Sequence, residues 1–241
     1  MLEREILLSY MHNFYGYGAW TARLWFVGME EGGGNTLDEI QRRLAAWDQT
    51  NELADLYEFH RNLPDAPWFG THPRIQKTWG KLIRIALCAE GRPPTTEDVR
   101  RYQRDELGRR DGSTALIELF PLPSPSTQHW TYSQCNIAEI ATRECYRDAI
   151  AEHRINAIRD RIRTARPRAI IFYGREYRQY WERIAQTPFT RHVDRPFDVA
   201  LTGSTIFILA PHPVARGVTN AEFCEIGRVI ARGGSFSQPQ P

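Results

Sequence analysis

The sequence predicts an α/β fold in three layers: a central four-stranded, mainly parallel sheet with helices on both faces. Two observations carry this expectation. Four short runs are almost continuously apolar, as strands buried on both faces should be. Helical patterns alternate with those runs, and that alternation implies a parallel sheet covered on both sides. Taken in order, residues 23–27 form the first strand, followed by helical patterns over 36–60, 73–90 and 95–107. Residues 115–120 form the second strand, with a long helical pattern over 138–165 behind it. The third strand, 169–173, leads to a helix over 175–186, and the fourth, 205–209, to a last helix near 220–232. No internal repeat or long linker divides the chain. Residues 1–232 are therefore expected to form one domain, and residues 233–241 a flexible tail.

With 241 residues, of which 41% are apolar and 12% aromatic, the chain is long enough to bury a substantial core. No apolar run approaches the roughly 20 residues of a membrane helix. Met1 to Glu5 is charged rather than the start of an apolar signal core, so a cytoplasmic protein without membrane contact is expected. Cys88, Cys135, Cys145 and Cys224 lie far apart with no CxxC pair, which argues against a metal site or a disulfide scaffold and for buried free thiols. Net charge is only +2, yet the basic side chains are nearly all arginine, Lys77 and Lys81 being the exceptions. A GC-rich genome explains such a bias; so does a surface whose guanidinium forks contact phosphates. A local basic stripe suffices for DNA even at near-neutral total charge.

In parallel sheets the ligand sits beyond the carboxyl ends of the strands. The residues there read Gly28-Met29-Glu30-Glu31-Gly32-Gly33-Gly34, Pro121-Leu122-Pro123-Ser124, Gly174-Arg175-Glu176 and Pro211-His212-Pro213-Val214-Ala215-Arg216. The first and last resemble the uracil-DNA glycosylase superfamily, whose members share a Gly-x-(Asp/Asn/Ala)-Pro-Gly-like loop and a late His-Pro-Ser motif. The stretch from Glu118 to Pro123 resembles the Asn-Leu-x-Pro-Leu of the single-strand-selective branch. Trp68-Phe69-Gly70 resembles the Pro-Phe-Val-Gly of the iron–sulfur branch. Order and strand context agree from about residue 22 to 230. The departures define an outlying branch: Glu31 replaces the family proline, Glu30 its Asp or Asn, Val214 the serine and Glu118 the asparagine. The cluster cysteines are missing, so no metal and no cofactor is expected.

The resemblance implies a monofunctional DNA glycosylase acting as a monomer on a flipped uracil or related damaged base. Breaking the C–N bond places positive charge on the sugar and negative charge on the leaving base. Glu30 is the candidate carboxylate near the sugar, with Glu31 the alternative if the alignment slips by one. His212 is the donor to the base. Met29, Trp68, Phe69 and Glu118 are candidates to contact the base, and Glu118 matches a base oxygen only if burial keeps it protonated. A salt bridge to an arginine is the structural alternative for Glu118. Pro213, Val214, Ala215 and Arg216 form the expected wedge into the vacated stack, and Arg175 with Arg216 the phosphate contacts. His129, Tyr132 and Asn136 are further polar candidates for the pocket wall. The lysines fall in a helix away from the strand ends, which disfavours Schiff-base chemistry. Three rivals stand: a silent member binding uracil-containing or abasic DNA, a nucleotide-binding enzyme using Gly32-Gly33-Gly34, and a triad hydrolase. The last two lack their phosphate-loop and GxSxG signatures.

Overall fold

The computed structural model describes residues 2–61, 63, 67–191 and 195–234. In chain order the elements are α1 (Arg4–Asn13), β1 (Gly16–Tyr17), β2 (Leu24–Glu30), α2 (Leu37–Ala46), β3 (Leu53–Ala54), α3 (Leu56–Arg61), α4 (Lys77–Ala89) and α5 (Thr96–Asp105). There follow β4 (Thr114–Phe120), α6 (Arg143–Ala165), β5 (Ala169–Tyr173), α7 (Arg178–Ala185), β6 (Asp198–Thr202), β7 (Thr205–Ala210) and α8 (Asn220–Ala231).

These strands form one seven-stranded, mostly parallel sheet in the order β3-β1-β4-β2-β5-β7-β6. The expected four strands are its mutually parallel centre, β4-β2-β5-β7, and they are buried almost throughout. The sheet is therefore wider than the four strands expected. At one side β1 pairs antiparallel with β4 and parallel with β3, two residues each. At the other, β6 pairs antiparallel with β7 through a tight turn at Gly203. Two-residue strands leave no periodic trace in a sequence, and β6 shows a mixed pattern because its last two residues are exposed.

The helical pattern expected over 36–60 is broken into α2 and α3. Asp48 breaks it: its carboxylate accepts from the Thr50 N–H, the Thr50 hydroxyl and Asn51 Nδ2. Such a side chain satisfies the backbone locally and competes with the helix. Elsewhere the helix starts are set by side-chain caps. Thr36 and Thr142 each accept from a first-turn N–H, and Thr95 with Asp98 and Thr219 with Glu222 complete capping boxes. α4 packs along α8 and α5, while α6 packs on α7 and β4.

The four cysteines are free, as expected, but only Cys88 is buried; Cys145 is exposed and the other two are intermediate. No described helix is long and apolar enough to cross a membrane. Of the expected tail, Gly233 and Gly234 close the last turn after α8, and 235–241 lie outside the described residues.

Connectivity locates the site. The chain leaves β2 for β4 on one side, then crosses back over β2 to β5 and continues to β7. The loops after β2 and β5 thus diverge, opening a crevice at the point where the direction of winding reverses.

Candidate functional site

A cavity of about 600 Å³ opens in that crevice. All four central strands contribute: Met29, Glu30, Glu31 and Gly32 at the end of β2 and after it, Glu118 and 124–127 on and after β4, Tyr173, Glu176 and Tyr177 at β5, and His212 and Val214 after β7. The expected convergence of the strand ends on one cleft holds.

Glu118 forms the floor. It is 7% exposed and projects from β4 toward β5, where Oε1 accepts from the Tyr173 hydroxyl at 3.3 Å. Its Oε2 is buried with no hydrogen-bond partner. Burial, and then the charge of Glu31, push its pKa well above the carboxylate range, which favours the neutral acid. The salt-bridge alternative for Glu118 is not what forms here, since no guanidinium pairs with its carboxyl among the described residues. Arg154 does reach this strand, but through the main chain. Fully buried, it donates to the carbonyls of Glu118, Leu119, Phe14 and His12 and stacks 3.6 Å from the Tyr15 ring centroid. The close meeting of β2, β4 and β5 needs Gly28: a Cβ there would lie 2.2 Å from the Tyr173 hydroxyl and 2.7 Å from Glu118 Oε2.

His212 stands against the Tyr173 ring, centroids 5.7 Å apart. The Val214 N–H meets its Nδ1 at 3.4 Å, which leaves the ring proton on Nε2. Burial lowers its pKa, with Glu176 pulling the other way, so the ring is neutral near pH 7. Pro213 is buried, whereas Val214, Ala215 and Arg216 are exposed; Val214, at 52%, is one of two large exposed apolar side chains among the described residues.

The carboxylates after β2 are both engaged. Glu30 Oε2 accepts from Arg143, and Oε1 accepts from Arg147 Nη2 at 2.7 Å and Nε at 3.2 Å. Arg143 continues as a clamp: its Nη2 lies 2.7 Å from Ser124 Oγ and from the Ser126 and His129 carbonyls, fixing the loop after β4 to the loop after β2. Glu31 turns the other way. Its Oε1 accepts from the Tyr17 hydroxyl at 2.8 Å, and Arg43 Nη1 sits 3.0 Å from Oε2 in ion-pair contact rather than hydrogen-bond alignment. Burial is the largest single influence on Arg43 and works against its charge, but Glu31, Tyr17 and Tyr10 together outweigh it and raise its pKa. His60 donates from Nδ1 to the Leu56 carbonyl and turns Nε2 toward Glu31 Oε1, 3.8 Å away; burial lowers its pKa too.

Trp68 and Trp79 line the aromatic wall with ring centroids 6.2 Å apart. Phe69 does not line it; the ring packs behind, against Tyr57, His60 and Trp79. His129, Tyr132 and Asn136 also stay out of the cavity, Tyr132 being buried with its hydroxyl on the Pro123 carbonyl. Arg175 is partly exposed and lies 3.9 Å from Asp198. Lys81 is less remote from the strand ends than expected, because its ammonium reaches the Val218 carbonyl in the segment after β7. Sequence reasoning missed Arg43, His60, Trp79, Arg143, Arg147 and Glu176. Arg43 left a trace as the partner of Glu39 one helical turn away, and Glu176 by its place just past the third strand.

Fold and site together define an α/β protein with a polar, aromatic-walled pocket at the carboxyl ends of its parallel strands. No family model matches the chain, and no curated protein matches it either.

Proposed function

We propose that this protein is a DNA glycosylase of the uracil-DNA glycosylase type, which removes a flipped uracil or related damaged base and leaves an abasic site. The observation that carries the reading is Glu118: a buried carboxyl, its charged form disfavoured by burial, with one unpartnered oxygen on the floor of a cavity that His212 also lines. A neutral acid places a donor beside an acceptor, the complement of the C=O and N–H edge of uracil, and thus serves where the family has an asparagine. His212, neutral with its proton on Nε2, is suited to donate to a base oxygen as negative charge grows there. Trp68 and Trp79 provide ring faces for the base, a contact worth about 1–3 kcal/mol per base. Val214, Ala215 and Arg216, exposed beyond His212, suit insertion into the vacated stack and contact with phosphate.

The test is a panel of oligonucleotides carrying uracil, a deaminated purine, an alkylated base or an etheno base, scored for alkali-labile sites. The wild type is expected to excise at least one. His212→Ala should slow single-turnover excision at least about tenfold, some 1.4 kcal/mol of barrier, with the fold intact. Wild-type rates in that variant would remove His212 from the mechanism. Borohydride should trap no covalent adduct; an adduct would implicate Lys81.

One observation favours a second reading, a silent protein that binds uracil-containing or abasic DNA: both oxygens of Glu30 are committed to arginines. Tight binding to an abasic site without excision of any base in the panel would select it.

A further inference from the structure

The glycosylase reading needs a carboxylate facing the sugar, and the pairing of charges in the cavity narrows where one can come from. Glu30 is held between Arg143 and Arg147, Glu31 is paired with Arg43, and burial disfavours the charged form of Glu118. One carboxylate on the cavity wall remains. Among the described residues, Glu176 has neither an ion pair nor a hydrogen bond, and Arg175 beside it is directed to Asp198 instead. We infer that Glu176, which sequence reasoning passed over, is the catalytic carboxylate of this site, activating the water that replaces the base; this rests on the glycosylase reading.

Three features place Glu176 for that work. It follows β5 at the point where winding reverses, on the wall that His212 shares. Hydrogen bonds hold the turn that carries it. Gly174 adopts φ 94°, a conformation that favours glycine, and its carbonyl accepts from the Tyr177 N–H at 3.2 Å and from Trp181 Nε1 at 2.9 Å. The side chain is also electrostatically coupled to His212, whose ring its charge favours in the protonated form. An acceptor and a donor thus share one cavity, as a bond that leaves cationic sugar and anionic base requires.

In the step, the C1′–N bond breaks and its electron pair leaves with the base, whose oxygen accepts a hydrogen bond from His212 Nε2–H. Water then forms the C1′–O bond and passes a proton to the Glu176 carboxylate. That proton is released to solvent, and the base anion takes one up as it departs.

The experiment uses the full chain and single-turnover excision from the same oligonucleotide panel, with binding measured in parallel by fluorescence anisotropy. Glu176→Gln should lower the excision rate about a hundredfold or more, the usual weight of a general base, while binding changes less than about twofold. Azide or formate should restore part of the rate to Glu176→Ala. Undiminished excision in Glu176→Gln, or a loss explained by weaker binding alone, overturns the role of Glu176 and leaves the glycosylase reading standing. A wild-type protein that excises no base in the panel overturns that reading and this role with it.

Discussion

Glu118→Gln exchanges a side chain whose donor depends on pH for one whose donor is permanent. An unfolded glutamic acid loses its proton near pH 4.3, whereas burial and the nearby Glu31 charge hold the folded Glu118 protonated well above that. Between the two values the native state binds one proton more than the unfolded state, so folding stability falls as pH rises. The limiting slope is about 1.4 kcal/mol per pH unit. From pH 5 to pH 7 the wild type should therefore lose stability relative to Glu118→Gln, by up to about 3 kcal/mol at that limiting slope. His60 and His212 act with opposite sign, since burial lowers their folded values and their stability is lost as pH falls. They are present in both proteins and largely cancel in the difference. The Tyr173 hydroxyl keeps a partner, because the amide oxygen accepts as the acid does. Urea unfolding of both proteins at pH 5, 6 and 7 measures the slope. A stability difference that does not change with pH would refute the protonated Glu118, and with it the match to a uracil edge. The same proton has a functional signature: excision by the wild type should decline toward alkaline pH, and that decline should be absent from Glu118→Gln.

Arg143→Ala should cost about 3 kcal/mol in urea unfolding, at the low end for breaking a buried ion pair because Arg147 still faces Glu30; unchanged stability would show that the clamp between the loops after β2 and β4 is idle. Gly28→Ala forces a methyl to within 2.2 Å of the Tyr173 hydroxyl and should cost about 1–3 kcal/mol, with Glu118 displaced and excision reduced; a stable, fully active variant would argue against the tight contact. Arg216→Ala should weaken binding to all DNA sequences alike and lower the slope of log affinity against log salt by about one, and an unaltered slope would take Arg216 off the phosphates.

Element type and the address of the site were legible in the chain. Almost continuous apolar runs at 23–27, 115–120, 169–173 and 205–209 read as buried strands between helices, and parallel strands open their carboxyl ends to one crevice. Reading the residues in and just past those runs therefore pointed to Glu30, Glu31, Glu118 and His212, and all four reach one cavity. Sequence reading also identified the condition on Glu118, that it must be protonated to read a base oxygen. What it could not supply was the state of each group, because charge and protonation depend on neighbours distant in sequence. Arg143 lies 113 residues from the Glu30 it engages, and Tyr173 lies 55 from Glu118. Nothing local marks either partner. The tertiary structure alone decided that Glu30 and Glu31 spend their charge on arginines, that Glu118 is buried without one, and that Glu176 stands on the cavity wall without an ion pair. The physical reason is that desolvation and Coulomb interaction act through space, across a sheet whose adjacent strands are remote in the chain.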